Sequence, residues 1–243
     1  MNFARTSAGL AAAAALLFAG PALADPITFS SANIGQSYTL GYNGFADGTT
    51  IDGLTAQTSF TLTGISGNDY AFDYSVSNTS ADPITASRVS SFAFNADPNI
   101  ASATSTGAFS YTTLASTYPN GIGTVDVCFK DAQTGACAGG GSGGLLLGET
   151  GTGSFTLGFS QPVSSLTLSD FFVRYQSIDG TNNPPSSASG SGTVTSTSSG
   201  GTSVPEPGMV GLFGLGLIGL AVMRRRRGRG HAAASFRPAL AAA

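Results

Sequence analysis

The chain has 243 residues, 34 of them glycine and only 9% charged, with a formal net charge of −3. Between residues 25 and 204, Arg88, Lys130 and Arg174 stand against twelve acids, a net of −9, so nucleic acid and anionic membrane surfaces are repelled. One histidine, two cysteines and no tryptophan leave little material for histidine-ligated metals or for stacking platforms.

The first segment, 1–24, reads as a secretory signal. Arg5 supplies a positive start, Leu10 to Phe18 an apolar stretch, and Ala22-Leu23-Ala24 a small-residue cleavage site, placing the cut between Ala24 and Asp25. About nine strongly apolar residues are too few to span a bilayer. An exported domain over 25–185 follows, long enough for one hydrophobic core.

Within that domain, apolar residues alternate at period two and never hold a helical period. Phe60 and Leu62 alternate with threonine; Tyr70, Phe72, Tyr74 and Val76 form the next run. Val125, Val127 and Phe129 follow, then Phe155, Leu157 and Phe159, and a run from Leu166 through FFVRYQ. Short strands between NG, DG and Pro turns predict an all-β fold, an antiparallel β-sandwich of jelly-roll-like or Ig-like kind. A signal helix is expected before it and a single transmembrane helix after it.

Candidate chemistry is sparse. Cys128 and Cys137 enclose eight residues rich in turn formers, which predicts a local disulfide worth roughly 2–3 kcal/mol in an oxidising compartment. A metal site needs more ligands, and a redox pair prefers CxxC spacing. The AGGGSGGLLLG stretch at 138–148 lacks the Lys-Ser/Thr ending of a phosphate loop and reads as a mobile hairpin loop. His231, the only histidine, lies beyond residue 204, so Ser-His-Asp and Cys-His arrangements have no base in the exported domain. A two-carboxylate glycosidase needs none, and Asp69, Asp73, Asp126, Asp131, Glu149 and Asp170 are available. Most of these fall at turns or outward strand positions, where solvation or capping explains them. Asp47 with Asp52, and Asp69 with Asp73, offer oxygen ligands to calcium but lack EF-hand spacing. No catalytic residue, metal or cofactor is assigned. Tyr38, Tyr42, Tyr111 and Tyr118 are stacking candidates for a carbohydrate- or protein-binding module. Arg88 and Arg174 are each expected to pair with an acid.

Residues 186–203, SSASGSGTVTSTSSGGTS, read as a flexible linker, although the central valine allows a last edge strand. Then comes a tail at 204–227. Val204, Pro205, Glu206 and Pro207 form an extended, accessible turn, because each proline fixes its own φ and restricts its predecessor. Met209 to Met223 is uncharged; as a helix it would rise roughly 22 Å, short of a hydrocarbon core of about 30 Å, and its glycines weaken it. Arg224, Arg225, Arg226 and Arg227 follow and stay cytoplasmic by the positive-inside rule. The final stretch, 228–243, is expected to be a disordered cytoplasmic extension.

This order of Pro-Glu-Pro turn, apolar segment and arginine cluster resembles the PEP-CTERM sorting tail. The resemblance implies export through the inner membrane, transient anchoring through the tail, and cleavage by the membrane protease exosortase. It further implies a product at the cell surface or outside the cell, with exopolysaccharide as a partner. Such tails usually end soon after the basic run, and 228–243 departs from that pattern. Four internal segments, 41–64, 86–100, 120–130 and 164–178, with Cys137 downstream of the third, are similar to the cistern group of these proteins. That likeness carries over no catalytic or ligand residue.

Overall fold

Alternation dictates strands, and the computed structural model shows twelve of them; it describes residues 26–134, 136–137 and 139–198. In chain order they are β1 (Ile27–Phe29), β2 (Ser37–Ala46), β3 (Thr49–Ser66), β4 (Asp69–Asn78), β5 (Ala86–Asp97) and β6 (Ser102–Ser105). The second half holds β7 (Tyr111–Tyr118), β8 (Gly123–Lys130), β9 (Leu145–Leu146), β10 (Thr150–Gly158), β11 (Leu166–Asp179) and β12 (Ser187–Ser198). The signal peptide, the sorting tail and the 228–243 extension lie outside the described residues. No helix among the described residues is long and apolar enough to cross a membrane.

The all-β antiparallel expectation holds, but the sandwich does not. The strands form one continuous sheet in the order β6-β10-β4-β3-β2-β12-β11-β5-β8-β7, with β1 on β11 and β9 on β5. This sheet curls until its two edges meet, nearly closing a barrel. The edge strands β6 and β7 are consecutive, joined by a 3-10 turn at Gly107–Phe109, and the Thr112 hydroxyl donates to the Ala103 carbonyl at 3.2 Å. Period-two alternation fixes that one face of each strand is buried; it does not distinguish two stacked sheets from one sheet packed against itself. Long strands with bulges favour the second arrangement here, since bulges in β3, β11 and β12 let a single sheet bend.

The interior is filled by phenylalanine. Phe155 sits with its ring centroid 4.7 Å from Phe129, 4.9 Å from Phe72 and 5.8 Å from Phe60. Phe92, Phe94 and Phe171 continue the cluster, all with no exposed surface. Offset and edge-on aromatic packing stabilises each such pair by about 0.5–1.5 kcal/mol beyond area burial.

The linker reading of 186–203 is corrected over its described part. Residues 187–198 are β12, an internal strand paired with β11 on one side and β2 on the other. Its small residues are a packing requirement. A Cβ at Gly192 would lie 2.6 Å from Tyr42 Cε1, and one at Gly190 would lie 2.9 Å from Val173 Cγ2. Large side chains on the neighbours fill the space that β12 leaves. A Ser/Gly/Thr composition therefore marks close approach of backbone to aromatic rings, not freedom.

Candidate functional site

The exported domain's three cations converge on one outer corner of the sheet, where β5, β8 and β11 lie side by side. Outward positions on these strands carry Arg88, Lys130 and Arg174, and all three are buried, at 5%, 1% and 9% exposure. Two covers account for this. The described residues of 131–144 fold back over β5, and the β7–β8 turn folds over β11. A small second apolar cluster of Ala93, Tyr118, Val125, Cys128 and Cys137 fills the space between.

Arg88 holds the first cover in place. Its guanidinium pairs with Asp131 at 3.3 Å and donates to the carbonyls of Gly140 and Gly143, the latter at 2.8 Å. It also reaches Gln176 Oε1 at 2.6 Å and the Ser177 hydroxyl at 3.3 Å. Asp131 in turn accepts the Gly140 amide at 2.8 Å. The glycine-rich stretch is thus strapped to the sheet rather than mobile. Its glycines are needed for close approach, because a Cβ at Gly144 would meet the Val89 carbonyl oxygen at 2.4 Å.

Lys130 donates to the Thr113 hydroxyl at 2.6 Å and to the Thr134 carbonyl. Arg174 differs from both. Its Nε and Nη1 are buried with no hydrogen-bond partner, and burial, with Arg88 nearby, pulls its pKa below the usual arginine value while Tyr118 offsets part of that. The expectation of an acid partner therefore holds for Arg88 and fails for Arg174. Arg174 shares the outer face of β11 with Phe172 and Gln176; alternation counted from Leu166 and Leu168 would turn it inward, and the bulge between Ser169 and Phe172 reverses that.

Cys128 and Cys137 are brought together by the same cover, both buried and hydrogen-bonded to each other. The predicted bridge is not formed: both are free thiols in this structure. Burial pushes the Cys128 thiol well up, whereas the Cys128 hydrogen bond, outweighing burial and helped by Ser116 and Lys130, lowers Cys137. The Ser91 hydroxyl fixes the strand below, donating to the Cys137 carbonyl at 3.0 Å and lying 3.2 Å from the Tyr118 hydroxyl.

The remaining candidates disperse. Asp126 accepts the Ala96 amide at 2.8 Å, Asp170 accepts Asn95 Nδ2 at 3.0 Å, and Glu149 accepts the Leu146 amide at 2.8 Å. Asp69 and Asp73 lie exposed on the outer face of β4. Asp47 and Gly48 form the β2–β3 turn, both with positive φ, the role that the DG pair foretold. Among the described residues no three of His, Cys, Asp and Glu gather as a metal site would require. The tyrosine platform is also corrected: Tyr42 and Tyr118 are buried at 2% and 1% exposure, Tyr38 packs edge-on against Phe29, and only Tyr111 is exposed. Tyr42 follows the alternation into the core, bonding Thr58 at 2.9 Å.

The residues of the sorting tail, Val204 to Pro207 and Arg224 to Arg227, and the Ala24–Asp25 cleavage site lie outside the described residues. Residues 203–227 match the family model of the PEP-CTERM protein-sorting motif. No curated protein and no solved structure shows significant similarity to the chain. The chain thus carries a PEP-CTERM protein-sorting motif at 203–227, which indicates a protein targeted to exosortase.

Proposed function

From a PEP-CTERM motif at the end of an acidic β-domain, we propose an exported, non-catalytic surface or extracellular-matrix protein that exosortase trims at its tail. The observation that carries the reading is the motif over 203–227. The described domain supports it. Its three cations are buried, so its exposed charge is acidic, a surface that stays soluble outside the cell and repels polyanions. Asp126, Asp131, Glu149 and Asp170 each hold backbone or side-chain donors, occupations that suit structure better than proton transfer.

In an oxidising compartment the Cys128–Cys137 pair becomes a disulfide. One of the two thiolates attacks a disulfide-bearing carrier, the other then displaces the carrier's sulfur, and two electrons and two protons pass to the carrier. The bridge fastens the start of the glycine-rich strap to β8 at the point where Arg88 fastens its end.

The test compares cells with and without the exosortase. Intact-mass measurement of the protein should give a product lacking the segment after the Pro-Glu-Pro turn only when the enzyme is present. A full-length tail in the wild-type strain overturns the sorting reading.

A further inference from the structure

Three loops meet at one end of the barrel: the β2–β3 hairpin, the β4–β5 loop and the β11–β12 loop. They enclose a groove of about 470 Å³ lined by Thr50, Asp52, Thr181, Asn182 and Asn183, inside the range of about 300–1,000 Å³ typical of small-ligand clefts. We propose that this groove binds an uncharged, hydroxyl-rich glycan.

The groove's frame is fixed. Gly53 and Gly180 both have positive φ; a Cβ at Gly53 would meet the Ala81 oxygen at 2.4 Å, and one at Gly180 the Pro83 oxygen at 2.1 Å. Backbone bonds from Ala81 to the Gly53 carbonyl at 2.9 Å and from Thr85 to the Asp179 carbonyl at 3.0 Å tie the loops together. Buried Ile84 anchors them below. Preorganisation of this kind lowers the ordering cost of binding.

Its side chains are free to bind. None of the five polar side chains makes a hydrogen bond to another described residue, and Asn182 and Asn183 are exposed, so their donors and acceptors are open to a ligand. Two amides, two hydroxyls and one carboxylate offer donors and acceptors together, the mixture that a sugar hydroxyl satisfies in both senses. The rings of Pro83 and Pro185 give flat apolar walls. An anionic polymer is disfavoured, since Asp52 lies in the groove, Asp82 and Asp179 are exposed beside it, and no described cation is exposed. A metal ion would find one carboxylate there.

Position adds a second argument. The groove lies before the start of β12, whereas the chain continues toward the sorting motif from the end of β12 at Ser198. Twelve strand residues at about 3.3 Å each separate these ends by roughly 35–40 Å. The groove and Ser198, the last described residue of the strand, therefore lie at opposite ends of β12. The inference draws on the matrix reading only for its setting.

The experiment uses the full chain in mild detergent, with dextran, laminarin and galactomannan as uncharged probes, alginate as the anionic one and polylysine as the cationic one. Binding to at least one uncharged polymer is expected, weakened roughly tenfold or more in the Asn182→Ala/Asn183→Ala variant at unchanged Tm, and retained in Asp52→Asn. The proposal is overturned by no binding to any uncharged polymer, by preference for alginate or polylysine, or by wild-type binding in the double variant. Each of those outcomes leaves tail processing, read separately by mass, unaffected.

Discussion

The inside of the barrel and its outer corner solve the same problem by opposite means. Inside, burial is mostly apolar: rings such as Phe60, Phe94 and Phe155 touch one another, and the few polar groups are tyrosine hydroxyls, of which Tyr42 bonds Thr58 while Tyr175 has no hydrogen-bond partner among the described residues. At the corner, burial takes in Arg88, Lys130, Asp131 and two thiols, so the free energy depends on whether each polar group is answered. Apolar packing tolerates small mismatches and is paid for in cavities. A buried charge is all or nothing: Arg88 is answered at every side, Arg174 at almost none. The corner is where a single substitution has a sign that cannot be guessed from burial alone.

The sharpest way to break the comparison is to remove the strand that both regions lean on. Replacing 187–198 by a Gly-Ser sequence of equal length deletes β12 and opens the β2–β11 junction. Because whole domains are stable by about 5–15 kcal/mol, losing an internal strand is expected to abolish the cooperative calorimetric transition. A variant that still melts sharply near the wild-type Tm would show that β12 is dispensable.

Two substitutions of equal size but different character come next. Phe155→Ala removes a ring from the middle of the aromatic cluster and should cost about 3–5 kcal/mol. Arg88→Met leaves Asp131 buried without its partner and should cost about 3–5 kcal/mol as well. Denaturant melts give both magnitudes. Limited proteolysis separates them: cleavage within 131–144 should rise for Arg88→Met beyond what its global stability explains, and not for Phe155→Ala. Equal cleavage patterns would mean that Arg88 does not hold the strap.

What could be read in the chain beforehand follows the same division. Alternation in Phe60–Leu62, Tyr70–Val76 and Phe155–Phe159 located the strands and their inward faces, because burial on one face imposes period two. Closure into one sheet was not legible, since it depends on bulges and long-range register, such as β12 lying between β2 and β11. The corner was half legible. Two cysteines nine positions apart foretold that 128 and 137 meet, but nothing local to Arg174 tells that the Tyr118 turn covers it. Small residues at Gly190 and Gly192 misled, because the reason for them lies in Tyr42 and Val173, far away in sequence. The groove residues at 181–183 carried no signal at all; a loop shows its purpose only once its neighbours are placed.

Alkaline pH probes the inner face and the corner together. Burial raises the pKa values of Tyr42, Tyr175 and Tyr118 above the ordinary phenol value of 10.0. The folded state therefore holds these protons more tightly than the unfolded chain does. Their contribution is complete below pH 10 and is lost as pH rises from there toward the folded values, by up to about 1.4 kcal/mol per phenol for each pH unit. Tm should stay level to about pH 9 and then fall, with phenolate absorbance of these three appearing only on unfolding. Ionisation of all seven tyrosines near pH 10 in a still-folded protein would contradict their burial.

Arg174→Leu carries the smallest effect and the most information, because its expected sign is opposite to that of Arg88→Met. The wild-type guanidinium bears a desolvation cost at Nε and Nη1 that no hydrogen bond offsets, and Arg88 nearby adds like-charge repulsion. Leucine keeps much of the apolar stem and removes both penalties, so stability should rise by about 1 kcal/mol. Arg174→Lys keeps the charge and should gain nothing, which separates relief of charge from relief of shape. A loss of more than about 2 kcal/mol in Arg174→Leu would mean that the guanidinium is satisfied in solution by a partner. Arg174 would then belong with Arg88 as an answered charge.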